Sequence, residues 1–189
     1  MVGKIVLASS SPRRADIMKR TKLNFEIMPS PYIEDHTTTA FSYDYIENLA
    51  YNKAKAIVLE EPALVVGADT VVVLDGEILG KPNGAKGAFE MLKKLSGKTH
   101  QVVTSIVVID TKTQTVKKKS TTSYVTFESL TDEQINYYIE NYKPFDKAGS
   151  YGIQEMPDGY IKSYTGDLEN IIGMSSKVLL ELIGDVQGH

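Results

Sequence analysis

Hydrophobic and polar positions along the chain follow two different periods. Apolar residues run together in "KIVLAS" and in "ALVVGADTVVVL", the pattern of strands buried on both faces. At Ile46, Leu49, Ala50, Ala54 and Ile57 they recur every three or four residues instead, the stripe of an amphipathic helix. On this basis the chain predicts a strand over 4–9, a helix over 12–20, a strand over 24–29 and a long helix over 43–60. Two β-rich runs follow within 63–82, hinged on Asp75-Gly76, the strongest short hairpin signal available. A helix over 84–95 stops at Ser96-Gly97. Strands near 100–110 and 115–128 flank the turn-like "DTKTQT", and "TDEQINYYIENY" reads as a helix with Thr131 as cap and Gln134 three residues on. A strand near 158–164 and a helical region over 167–183, broken at Gly173, complete the pattern. Interleaved strands and helices that include hairpins predict the α/β class with a mixed twisted sheet. No internal repeat or low-complexity segment interrupts it, and 189 residues are enough for one core, so a single domain over 1–189 is expected.

Composition narrows the function. At 42% hydrophobic and 24% charged residues the chain is ordinary globular material, and its net charge of −3 offers no general attraction to nucleic acid or to an acidic membrane. Anion chemistry must therefore be local. The absence of cysteine excludes disulfides, thiolate zinc sites and a cysteine nucleophile. The three histidines, His36, His100 and His189, include no pair at metal-ligand spacing. No apolar run approaches the roughly 20 residues that span a bilayer, and the N-terminus has no cleavable signal pattern. A cytoplasmic protein is the expectation; Gly188-His189 at the end is given no meaning.

Three stretches carry candidate chemistry. In "SSSPRR", Ser11 and Pro12 make a good helix cap and first residue, because the hydroxyl accepts an orphan amide and proline has none to lose. Arg13 and Arg14 then place positive charge where the helix end is already positive. Two solvated surface arginines are the ordinary explanation. A bound phosphate would resolve the conflict, since exposed amides, three serine hydroxyls and two guanidiniums form an anion receptor. The second stretch is "GADT". Asp69 interrupts an otherwise buried strand, so its carboxylate must be paired, metal-bound or at a cleft-facing strand end. Counting back through the Asp75-Gly76 turn sets Thr70 opposite Lys81, and Gly80 and Pro82 are suited to ending the strand there. Third, "DKAGSYGIQ" supplies Lys147 and Gln154 among glycines that permit close approach to a ligand. Glu34-Asp35 are either helix-flanking acids or metal ligands beside Asp69. Lys53, in mid-helix, is most simply a snorkelling surface lysine. No GxSxG, GxxxxGK[ST] or GxGxxG element is present. The combination favours attack of an activated water on a phosphorus centre.

"SSSPRR", "GADT", "LGKP", "DKAGSYGIQ" and "GDLENIIG" occur in the order and spacing that resemble the Maf family of nucleoside triphosphate pyrophosphatases, from about residue 4 to 183. The resemblance implies an elongated, two-lobed α/β fold related to the inosine-triphosphate pyrophosphatases, with a central cleft. It implies hydrolysis of a nucleoside triphosphate to monophosphate and pyrophosphate with a divalent cation, Mg²⁺ or Mn²⁺. Asp69 then matches the catalytic base, and Ser9, Arg13, Arg14, Lys53, Lys81 and Lys147 match substrate-binding positions. Glu34 joins Asp69 at the metal, and Arg13, Thr70 and Gln154 resemble the specificity positions of the branch acting on dTTP and UTP. A homodimer is also in keeping with the family, and no nucleic acid or membrane partner is implied. One departure stands out: Gly173 is followed by Met174-Ser175, where the family usually has Leu-Pro. Other readings stay open at this stage: a 7-methyl-GTP or modified-nucleotide pyrophosphatase of the same family, a nucleotide-binding regulator of cell division, and a sugar-nucleotidyltransferase.

Overall fold

The computed structural model describes residues 3–35 and 37–188; His36 and His189 lie outside them. One mixed sheet of seven strands organises the chain: β1 (Ile5–Leu7), β2 (Glu26–Ile27), β3 (Leu64–Leu74), β4 (Glu77–Leu79), β5 (Thr99–Asp110), β6 (Val116–Phe127) and β7 (Ile161–Thr165). The order is β2-β1-β3-β5-β6-β7, with β4 also on β3. Pairing of β1 with β2 and with β3 is parallel, and the remaining pairs are antiparallel. The helices are α1 (Pro12–Arg20), α2 (Tyr43–Lys55), α3 (Gly84–Leu95), α4 (Asp132–Tyr142), α5 (Leu168–Ile172) and α6 (Ser176–Gln187).

The alternation of side chains along β3 separates two apolar layers. Leu64, Val66 and Ala68 pack with Ala15, Ile17 and Met18 of α1 and with Leu179, Leu182 and Ile183 of α6. Further along that face, Val72 and Leu74 join Leu92 and Leu95 of α3 and Ile135 and Tyr138 of α4. On the opposite face Val65 packs with Ala50, Ala54 and Ile57 around α2, while Val71 and Val73 pack with Ile46 of the same helix. Each such fully buried aliphatic side chain contributes about 1.5–3 kcal/mol. Gly67 lies beneath α2: a Cβ there would stand 2.2 Å from the Ala50 carbonyl oxygen and 2.9 Å from the Ala54 Cβ. Only glycine permits this approach of helix to strand.

The position of the functional cleft follows from strand register. One edge of β3 is paired with β5 from Leu64 to Val73. The other edge is shared, by β1 at Leu64–Val66 and by β4 at Val72–Leu74. Between them Gly67 to Val71 have no strand alongside among the described residues, so the sheet carries a notch at its centre.

Local signals and observed elements agree where the stabilising contacts are local. Leu74 pairs with Glu77 across Asp75 (φ 52°) and Gly76 (φ 81°), the two-residue turn the sequence predicts. Thr131 and Gln134 form a reciprocal capping box. Differences lie at the ends. β1 stops at Leu7 rather than Ser9, because the chain turns there into the cap of α1, and β2 shrinks with it to two residues. The helix predicted to run to 60 stops at Lys55, where the Ile57 amide tightens onto the Ala54 carbonyl. Beyond that point β-branched Ile57-Val58 have weak helix propensity, and Glu60-Glu61 would oppose the negative end of the helix dipole. The terminal helical region is two helices, broken at Gly173 (φ 141°) and extending to Gln187. Ser175 caps α6 through the Val178 amide, supplying the helix start that a proline would otherwise mark.

Candidate active site

A cavity of about 500 Å³ opens at the notch in β3, bounded by the end of β1, the start of α1, the loop before α2, the end of β4 and the loop after α4. Its size suits a small-molecule ligand. Asp69 and Thr70 stand side by side on β3 and point to opposite faces of the sheet; because the sheet is open there, both line the cavity.

On the α2 face, Asp69 is buried and its Oδ1 accepts a hydrogen bond from Lys53 Nζ. The same ammonium lies 2.8 Å from Glu34 Oε1, and the Lys53 side chain is only 12% exposed. Lys53 is therefore an internal cation between two carboxylates, not a snorkelling surface residue. The hairpin count sets Lys81 opposite Thr70, one residue from Asp69 in register. Instead β4 ends at Leu79 before that pair forms, and the Gly80 carbonyl accepts the Gly149 amide. Lys81 lines the cavity, exposed, and makes no ion pair among the described residues. Tyr45 stands nearby with its hydroxyl donating to the Asp35 carbonyl, its pKa raised by burial and by the charges of Asp69, Asp35 and Glu34.

On the α1 face, Arg14 donates from Nε to the Gly173 carbonyl, from Nη1 to Ser9 Oγ and from Nη2 to Thr70 Oγ1, at 3.0, 3.4 and 3.1 Å. All three acceptors are neutral. Burial pulls its pKa below the ordinary value, and the charge of Asp69 offsets part of that. Ser9 Oγ also accepts from the Ser11 amide, so both of its acceptor sites are taken and its own O–H remains to donate to a ligand. Thr70 is the opposite case. Its hydroxyl accepts from Arg14 Nη2, and its one proton lies between two acceptors of the wall, Thr104 Oγ1 and the Gly173 carbonyl. Thr70 therefore has no proton to offer a ligand. Thr104 hands the network on to the Asn170 carbonyl, and the Asn170 side chain ties α5 to Val102 and Ser123.

Across the cavity, Lys147 is buried, with Nζ 2.9 Å from Asp146 Oδ1 and 3.2 Å from Glu155 Oε2. Arg13 Nη1 lies 3.2 Å from Asp146 Oδ2. Burial raises the Asp146 pKa, but its hydrogen bonds from Lys147 and Arg13 outweigh that and leave it below the ordinary carboxylate value. Gln154 is exposed at the rim and shared with a smaller neighbouring pocket. Behind the wall, Tyr151 pairs with His100 Nε2 at 2.6 Å, and burial lowers the His100 pKa to about 4.

Of the candidates from the sequence, Ser9, Arg13, Arg14, Glu34, Lys53, Asp69, Thr70, Lys81, Lys147 and Gln154 border one cavity, while Asp35 does not line it. Sequence reasoning missed Asp146, Thr104, Tyr45 and the Gly173 carbonyl. Only Asp146 left a signal, as the acid preceding Lys147 in "DKAGSYGIQ". Two carboxylates converging on one cation are hard oxygen donors of the kind that suit a divalent ion. Among the described residues no group of three acidic or histidine side chains is placed to hold a metal alone. That donor set fits an ion that completes its coordination with phosphate oxygens.

Fold and cleft together define an α/β protein whose pocket sets arginines and lysines beside two carboxylates. The chain belongs to the Maf family: the family described as "Maf-like protein" matches residues 4–186. It is 39% identical over 188 residues to a dTTP/UTP pyrophosphatase of Clostridium novyi, covering 97% of each chain. It is 42% identical over 182 residues to a dTTP/UTP pyrophosphatase of Thermosipho africanus, covering 96% of this chain and 93% of the relative. A solved nucleoside-triphosphatase / dITP/XTP pyrophosphatase from Mycobacterium abscessus overlaps 68% of this chain and 76% of its own at 15% identity, with a TM-score of 0.44, an overlap too slight to bear on function. No helix among the described residues is long and apolar enough to cross a membrane.

Proposed function

We propose that the chain hydrolyses nucleoside triphosphates, dTTP and UTP foremost, to the monophosphate and pyrophosphate. The observation that carries this reading is the Glu34–Lys53–Asp69 cluster at the notch in β3, facing Arg13, Arg14 and Lys147 across a cavity of nucleotide size. Relatives named dTTP/UTP pyrophosphatase, at about 40% identity over nearly the whole chain, support the choice of substrate.

In this reaction a water attacks the α-phosphorus in line with the bond to the β-phosphate oxygen. Lys53 holds Asp69 Oδ1, so Oδ2 accepts the proton released as the water oxygen bonds to phosphorus. The bond from the α-phosphorus to the bridging oxygen breaks, and pyrophosphate leaves with the electron pair. Arg13, Lys81 and Lys147 stabilise the charge that builds on it, while the Ser9 hydroxyl donates to a phosphate oxygen and Arg14 adds uncompensated positive charge at the end of β1. Glu34 and Asp69 would hold a divalent cation, Mg²⁺ or Mn²⁺. Such an ion supplies Lewis-acid charge to the phosphate oxygens. The Gln154 amide at the rim reads the base edge, and Thr70 shapes the floor beneath it.

The test is pyrophosphate release from a panel of dTTP, UTP, CTP and 7-methyl-GTP. Turnover is expected to be greatest with dTTP and UTP, and Asp69→Asn is expected to lose at least about 100-fold with its fold intact. Preference for 7-methyl-GTP would overturn the base assignment. Nucleotide binding without turnover would make the protein a regulator, and full turnover in Asp69→Asn would remove the carboxylate from the mechanism.

A further inference from the structure

Asp146 links the two walls of the cleft. Its Oδ2 accepts from Arg13 Nη1 at 3.2 Å and its Oδ1 from Lys147 Nζ at 2.9 Å, joining positions 133 residues apart. Among the described residues no other hydrogen bond or ion pair connects α1 to the loop that follows α4. Arg13 has no other carboxylate partner there, and without Asp146 the buried Lys147 would be left to Glu155 alone. The Asp146 side chain is itself 60% exposed. Ion pairs that exposed add little to stability, so what this one supplies is geometry.

We propose that Asp146 is a positioning residue: its shared carboxylate holds the Arg13 guanidinium and the Lys147 ammonium at the separation a triphosphate requires. The proposal rests on the pyrophosphatase reading above. Two cations from elements with no other polar link among the described residues must meet the same charged chain of phosphates. Held in advance by one carboxylate, they meet it without reorganising at the moment charge moves to the leaving pyrophosphate. Asparagine at 146 keeps the shape and an acceptor oxygen but removes the charge that binds both cations at once.

The experiment is a double-mutant cycle on Arg13→Ala and Asp146→Asn, read as kcat and KM for dTTP, inhibition by inorganic pyrophosphate, and melting temperature. Asp146→Asn is expected to lower kcat/KM about 10- to 100-fold, weaken pyrophosphate inhibition, and leave the melting temperature within a degree or two of wild type. In the Arg13→Ala background the same substitution is expected to cost clearly less than it does alone, because only its hold on Lys147 is then left to lose. Losses that simply multiply would overturn the proposal. So would tighter pyrophosphate binding by Asp146→Asn, since the carboxylate would then be only a competitor for the phosphate position. If wild type turns over dTTP and Asp146→Asn is its equal, the positioning role alone falls. If wild type releases no pyrophosphate from any triphosphate, the pyrophosphatase reading falls and takes the positioning role with it.

Discussion

Replacing Gly67 by alanine tests whether the fold itself sets the catalytic geometry. The new Cβ would stand 2.2 Å from the Ala50 carbonyl oxygen, which belongs to the backbone of α2 and cannot swing aside. An ordinary carbon–oxygen contact needs about 3.3–3.6 Å, so α2 must retreat from β3 by about 1 Å at this point. Lys53 lies one turn further along the same helix and reaches Asp69, two residues beyond Gly67 on the same strand face. The displacement is therefore passed directly to the cation between Asp69 and Glu34. Overpacking of this kind costs about 1–3 kcal/mol of stability, which for a chain of this length lowers the melting temperature by about 2–4 °C per kcal/mol. A misplacement of about 1 Å in a catalytic array costs about 100-fold in rate. Gly67→Ala is thus expected to remain folded at 25 °C, melt several degrees early, and lose about two orders of magnitude in dTTP turnover. Thermal unfolding and steady-state pyrophosphate release measure the two effects on one preparation. Wild-type turnover with an unshifted melting temperature would refute the link between helix packing and the site.

Two further substitutions probe the walls. The gap between the ordinary His100 pKa of 6.5 and its value of about 4 in the fold corresponds to about 3 kcal/mol. Because the folded state keeps the ring neutral and the unfolded chain protonates it, this stability is fully present above pH 6.5, declines as pH falls toward 4, and changes no further below. Urea unfolding of wild type and His100→Gln across that window should show the variant with the shallower decline; parallel curves would count against the assignment. Gly173→Ala forces a side chain into φ 141° at the residue whose carbonyl accepts from both Arg14 and Thr70. It is expected to cost about 1–3 kcal/mol and to lower kcat/KM, as urea unfolding and dTTP kinetics would show; unchanged stability would mean the turn tolerates the strain.

The contrast between Lys81 and Lys53 explains what could be read from the chain before its fold. The Asp75-Gly76 turn and the Thr131–Gln134 capping box are local, set by residues within a few positions of each other, and both form as the sequence predicts. Hairpin register is local too, but the Thr70–Lys81 pair it predicts does not form because β4 ends at Leu79, and the cation that reaches Asp69 is Lys53. What decides that contact is how closely α2 packs on β3, and the only trace of it in the sequence is the glycine at 67 within a buried strand. The arginines of "SSSPRR" were legible for a different reason. Their charge contradicts the helix end that carries them, and no acidic residue in the first turn of α1 relieves it. The relief comes from distant chain, from the Gly173 carbonyl for Arg14 and from Asp146 for Arg13. A local contradiction can thus announce that a partner is required, but not which segment provides it. That choice belongs to the notch between β1 and β4, which brings the end of α5 under one arginine and the loop after α4 against the other.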